Sequence, residues 1–137
     1  MAIAQTLCSS FKREILLAQQ DFSTDTFKMA LYNSAANIGA DTTVYTSSGE
    51  VSGGGYTAGG ISLVVNPTPT LSNGVAFVSF NTAVFNAALT ARGALIYNSS
   101  KSNKAVLVLD FGSDKTMSNF TVEFPPATSN SAILRIA

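Results

Sequence analysis

The sequence predicts a mainly β domain: an antiparallel β-sandwich of about eight short strands with one N-terminal α-helix. Three observations predict it. Apolar residues recur at three- to four-residue spacing only near the N-terminus. From Thr26 onward the period is two, as in a strand. Between the alternating runs, Gly, Pro, Asn and Ser gather as they do in turns. The 137 residues suit one domain, 1–137, with the helix at 5–19 and the β core at 26–136. Such a chain buries roughly two-thirds of its unfolded surface and needs no staple. Periodicity does not specify strand order, so jelly-roll and immunoglobulin-like arrangements both stay open.

In the helix, Leu7, Phe11, Ile15 and Ala18 share one face, while Lys12, Arg13, Gln19 and Gln20 fall elsewhere. Ser9-Ser10 offers a cap for a shorter helix beginning at Phe11. The apolar stripe must be covered, by the domain's own sheet or by a neighbouring subunit. Phe27, Met29 and Leu31 then alternate with Lys28, which predicts a half-buried strand. Residues 33–41 are turn-rich, and 42–45 fit a short strand. Residues 47–60 form the longest irregular stretch, with Gly49, Gly53, Gly54, Gly55, Gly59 and Gly60. Residues 61–65 read as a strand ending before Pro67 and Pro69, because Pro cannot donate to a ladder. Residues 75–80 follow the turn signal Ser72-Asn73-Gly74. Residues 92–97 and 104–111 flank a polar loop, 98–103, as the arms of a hairpin. Residues 119–124 alternate cleanly until Pro125-Pro126, and 132–136 make a last strand.

The composition leaves little equipment for chemistry. There is no His, no Trp and one Cys, Cys8, with 8 basic and 8 acidic residues. Ser, Thr and Asn together number 41. Charge is 12% with a net of zero, against about 25% in typical soluble domains. Low net charge promotes association. The surface therefore fits a small neutral domain or, better, a subunit that sits against copies of itself or a partner. Nucleic acid is disfavoured, since the basic residues are scattered and the closest pair is Lys12-Arg13. No apolar run approaches the roughly 20 residues of a membrane span. The first residues lack the basic stretch of a signal peptide. Cys8 after Leu7 only faintly suggests a lipidation site, and a single Cys forms no internal disulfide. It reads as a small buried apolar side chain.

Each chemical motif has a plainer reading. The glycine stretch at 52–60 lacks the Gly-Lys-Ser/Thr of a phosphate loop, and no Lys lies between Lys28 and Lys101. Its glycines fit backbone bends at positive φ, or close approach to another subunit with Tyr56 as aromatic anchor. Asp110-Phe111-Gly112 matches a kinase signature without its companions, and Asp110 is expected to face solvent at a strand end. Asp110 and Asp114 are weak candidates for a cation site, being only two carboxylates. Glu50 and Glu123 are the non-helical glutamates, and nothing brings them together for glycoside hydrolysis. A Ser nucleophile has no His base, and a Ser–Lys pair has no supporting motif. The expectation is no enzyme, no metal and no cofactor.

Three blocks carry a resemblance. They are FKMALY (27–32), EVSGGGYTAGG (50–60), and ARGALIYN (91–98) continuing to LDFG (109–112). In the order helix, strand, glycine loop and hairpin, the chain resembles small tailed-bacteriophage virion structural proteins of the head decoration, cement or tail-fibre type. The resemblance spans most of residues 11–137, and its motifs are structural rather than catalytic. It implies a capsid decoration or cement protein on the outer surface of a phage head, made in the host cytoplasm. Such a protein binds across major capsid protein subunits and copies of itself, often as a trimer, without nucleic acid or membrane. The alternative is a tail or fibre component touching other tail proteins or a host receptor, although no repetitive shaft is present. A carbohydrate-binding module is a more distant reading, with no Trp and four Tyr to offer. Candidate interface residues are Phe11 and Ile15 on the helix, Gly53, Gly54, Gly55 and Tyr56 in the loop, and Leu134 and Ile136 in the last strand. They are chosen because these elements flank the β core. Tyr56, set among glycines, is expected to serve assembly and to be dispensable to the isolated fold.

Overall fold

The computed structural model describes residues 2–137. It is mainly β, with 41% of residues in strands or bridges and 6% in one short helix. In chain order the elements are β1 (Thr6–Leu7), α1 (Ser9–Leu16), β2 (Phe27–Tyr32), β3 (Ile61–Ser62), β4 (Thr70–Ser72) and β5 (Val75–Val78). β6 (Ala83–Val84), β7 (Leu89–Asn98), β8 (Lys104–Met117), β9 (Thr121–Val122) and β10 (Leu134–Ile136) follow. Hydrogen bonding divides the strands among three antiparallel sheets, ordered β1-β8-β7-β2-β3, β10-β5-β4 and β6-β9.

The large sheet is built on the β7–β8 hairpin, whose polar loop is the one the sequence predicts. β2 lies against β7 from Phe27↔Asn98 to Tyr32↔Gly93. It is not the half-buried strand that its alternation predicts: every residue but Lys28 is buried. One face meets the aromatic core, where Phe27 stacks on Phe22 with centroids 4.3 Å apart. The other face is roofed by the segment that follows. Tyr32 donates to the Thr46 carbonyl at 2.6 Å, and Tyr45 packs on Tyr97, the residue opposite Lys28. Gly60 runs so close that a Cβ there would stand 1.7 Å from the Met29 carbonyl oxygen.

The helix is shorter than the predicted 5–19. Thr6 and Leu7 instead extend the sheet, opposite Val108 and Leu107. At the other end Ala18 adopts a left-handed φ of 58°, and the Gln19 N–H closes on the Glu14 carbonyl at 2.8 Å. The chain turns there because Gln20 and Phe22 are drawn into the interior, both buried. Short-range periodicity cannot register that pull. The strands expected at 61–65, 75–80, 119–124 and 132–136 shorten to β3, β5, β9 and β10, whereas the hairpin arms expected at 92–97 and 104–111 lengthen into β7 and β8; residues 42–45 contribute only a bridge, Val44↔Lys104.

One buried apolar cluster joins α1, the large sheet and the smaller ones. A run of aromatic contacts passes through it, from Phe11 to Phe22 (6.0 Å), Phe27, Phe80 (6.1 Å from Phe27) and Phe124 (5.4 Å from Phe80).

Candidate functional site

Four of the predicted interface residues come together. α1 sets Phe11 and Ile15 one turn apart, and β10 sets Leu134 and Ile136 two residues apart on one side of the strand. With Leu7 and Leu16 they line a hollow of about 220 Å³ between helix and strand, with Lys12 and Arg135 on its rim. Ile15, Leu134 and Ile136 also line a second, smaller hollow of about 80 Å³ with Phe22, Pro69 and Phe77. Phe11 and Leu134 are themselves buried, forming the floor. Leu16 and Ile136 stand 86% and 54% exposed.

The glycine loop is a different place. Gly53, Gly54 and Gly55 are exposed and all have positive φ. They close a turn in which the Tyr56 N–H donates to the Gly53 carbonyl at 3.0 Å. Tyr56 is not an outward anchor. Its ring lies beside Phe85 at 6.2 Å. Its hydroxyl accepts the Leu31 N–H at 3.0 Å and donates to the Glu50 carboxylate at 2.5 Å. Loop glycines suggest an exposed side chain, but a phenol long enough to reach the strand edge satisfies a backbone donor that would otherwise be bare.

Glu50 organises this region. Its carboxylate also accepts the Tyr45 hydroxyl at 2.5 Å and the Gly59 N–H at 2.8 Å. Tyr97 donates to the Gly59 carbonyl at 2.6 Å. All four tyrosines of the chain thus serve the packing of this segment onto β2 and β7. Burial, and then the nearby Glu50 charge, pushes the phenols of Tyr32 and Tyr97 above their ordinary range, and burial with the hydrogen bond to Glu50 raises that of Tyr56. Burial and the hydrogen bond to Glu50 do the same for Tyr45. The sequence carries one hint of this role: Glu50 is the lone carboxylate between Asp41 and Asp110.

A second polar cluster pins the hairpin loop to the helix. Asn98, fully buried, donates to Gln20 at 2.8 Å and Asp25 at 2.7 Å. Gln20 donates to the buried Glu14 at 2.9 Å, and Lys101 pairs with Asp25 at 2.9 Å. Burial works against the Asp25 carboxylate, but the donors on Asn98 and Lys101 outweigh it and hold it below its ordinary value.

Asp110 does not simply face solvent at a strand end. It accepts the Gly112 N–H at 2.9 Å and pairs with Arg92 at 3.0 Å, and both lower its pKa. Among the described residues no three metal-ligating side chains converge, Asp110 and Asp114 included. Cys8 is buried, its thiol pushed up to about 12 by burial and by Glu14. Among the described residues no helix is long and apolar enough to cross a membrane.

What the arrangement offers is an apolar hollow with basic rims, held on a core whose buried carboxylates are engaged by donors. No family model, no curated protein and no solved structure matches this chain, so the reading of its function rests on its own residues.

Proposed function

We propose that this chain is a non-enzymatic structural subunit of a tailed-bacteriophage virion. In this reading it is a head decoration or cement protein that binds across major capsid protein subunits and against copies of itself. The virion assignment follows the resemblance of the three sequence blocks, and the observation that carries the assembly role is the hollow between α1 and β10. Phe11, Ile15, Leu134 and Ile136 converge there, and Leu16 and Ile136 stand exposed at its border. Apolar surface gathered in one place on a chain of zero net charge favours association. Each 100 Å² covered contributes about 2.5 kcal/mol before association costs are subtracted. The reading also takes the three sheets as the layers of a sandwich around one core. The contacts from Phe27 in β2 to Phe80 beyond β5 and on to Phe124 beyond β9 support it.

The test is copy number in purified virions, by quantitative mass spectrometry against the major capsid protein. A ratio near one-to-one is expected. A few copies per particle would place the chain in a tail or at a vertex. Absence from virions would overturn the proposal.

A further inference from the structure

We infer that the two smaller sheets are halves of one sheet completed between copies of this chain, with β10 of one copy pairing antiparallel with β9 of the next. The inference deepens the assembly reading above and rests on it, naming the surfaces through which copies meet.

Both strands are open edges. β10 ends the order β10-β5-β4, and β9 is bonded only to β6. Among the described residues, 133–137 make no backbone hydrogen bond beyond the pairing with β5, and 121–124 make none beyond the pairing with β6. Such edges template another strand unless they are blocked. Sheets of three and two strands are small, and joining them gives five, the size of the chain's own complete sheet.

The side chains match. Leu134-Arg135-Ile136 in β10 and Val122-Glu123-Phe124, which starts at the last residue of β9 and runs two residues past it, both alternate apolar, charged, apolar. Leu134 and Val122 face inward and are buried, while Arg135 and Glu123 are exposed. Neither charge has an ion-pair partner among the described residues. Antiparallel pairing centred on Arg135 and Glu123 sets these opposite charges face to face. It also lays Ile136 against the partner's inward face instead of leaving it to water. An apolar hollow lies beside each edge. The one at β10 is described above; the one at β9, about 220 Å³, is lined by Phe111, Met117 and Phe120.

Symmetric pairing of β10 with its own copy is disfavoured, because the three-residue strand would set Arg135 against Arg135. The other edge strands, β1, β3, β4 and β6, carry no carboxylate. A β10-to-β9 contact is head-to-tail, so copies close into a ring or extend into a filament.

The test is sedimentation equilibrium of the purified full chain across a concentration series. Wild type is expected to associate beyond the monomer. Arg135→Glu and Glu123→Arg are each expected to weaken association about tenfold, and the double exchange R135E/E123R to restore it. Lys115→Glu, on the rim beside Glu123, is expected to leave association intact or strengthen it. Circular dichroism checks that each variant keeps its fold, since all three residues are exposed. A wild type that is monomeric throughout, or an association indifferent to both single reversals, overturns the inference. A monomeric chain that is nonetheless abundant in virions overturns this contact and leaves the assembly reading standing.

Discussion

The hydroxyl of Tyr56 stands where the carbonyl of a neighbouring strand would, accepting the Leu31 N–H at 3.0 Å. On either side the chain itself does this work. The Val51 N–H donates to the Leu31 carbonyl, and the Leu63 N–H to the Phe27 carbonyl, at 2.9 and 2.8 Å. A side chain thus fills a gap in a backbone ladder, and Glu50 holds it there. Tyr56→Phe keeps the ring and removes the oxygen. It is expected to cost about 1–3 kcal/mol, because the Leu31 N–H and the Glu50 carboxylate each lose a partner. Urea unfolding measures this; an unchanged midpoint would show that water replaces the hydroxyl at no cost.

Alkali should unfold the protein through its phenols. All four are raised in the folded chain above the ordinary value of 10.0. The neutral phenol is therefore favoured by folding. Its contribution is complete below pH 10 and is lost as pH rises toward the folded values, while the unfolded chain ionises first. Tyrosinate absorbance should rise together with the loss of structure. A titration in which the phenols ionise while the fold persists would contradict this.

Acid acts with the opposite sign. Asp25 and Asp110 are lowered in the folded chain, and Asp21 is pulled down to about 2 by the Ser23 hydroxyl and N–H. The unfolded chain takes up protons first, so this stabilisation is full above about pH 4 and drains away below it. Asn98→Ala should reduce the acid sensitivity that comes from Asp25 and lower stability by about 2–3 kcal/mol, since Gln20 and Asp25 lose a buried donor. Denaturation midpoints of wild type and variant compared at pH 7 and pH 3 decide the point.

Two glycines of similar φ should respond differently to alanine. Gly60, at φ 81°, has the Met29 carbonyl oxygen where the methyl would go. Gly53, at φ 77°, has nothing within 4 Å. Gly53→Ala should cost about 1 kcal/mol, the strain of a left-handed residue. Gly60→Ala should cost several times that or prevent folding, since the backbone of β2 must move. Equal melting temperatures for the two variants would refute the close approach.

Cys8 should be inert in the folded chain. Its thiol is buried and raised to about 12, and the thiolate is the reactive form. Iodoacetamide at pH 8 should label it only after denaturant is added. Labelling of the native chain at the rate of a free thiol would place Cys8 at the surface.

Much of this was legible in local pattern. The β7–β8 hairpin announces itself because its arms and polar loop are contiguous, and period-two alternation finds most strands. The helix end was not legible: Leu17-Ala18-Gln19 is good helical sequence, yet Gln20 is claimed by Asn98, a partner far along the chain. The burial of β2 was hidden for the same reason, since its second cover comes from a loop whose glycines read as exposed. Phe11, Ile15, Leu134 and Ile136 were each legible as apolar residues at the margin of the core. Their convergence was not, because no periodicity links the two ends of a chain.

β1 finds its place only when Thr6 and Leu7 meet Val108 and Leu107, so a strand waits for a partner made far later in the chain. Until β8 is made, Phe11 and its helix have no strand to pack on, and Phe27 and Met29 sit in a sheet that lacks two of its strands, β8 and β1. Non-local pairing of this kind slows folding and leaves apolar chain bare meanwhile. A nascent chain halted before Lys104 should therefore lack the β1–β8 and β7–β8 pairings and be a substrate for chaperones, and extension through Met117 should relieve it.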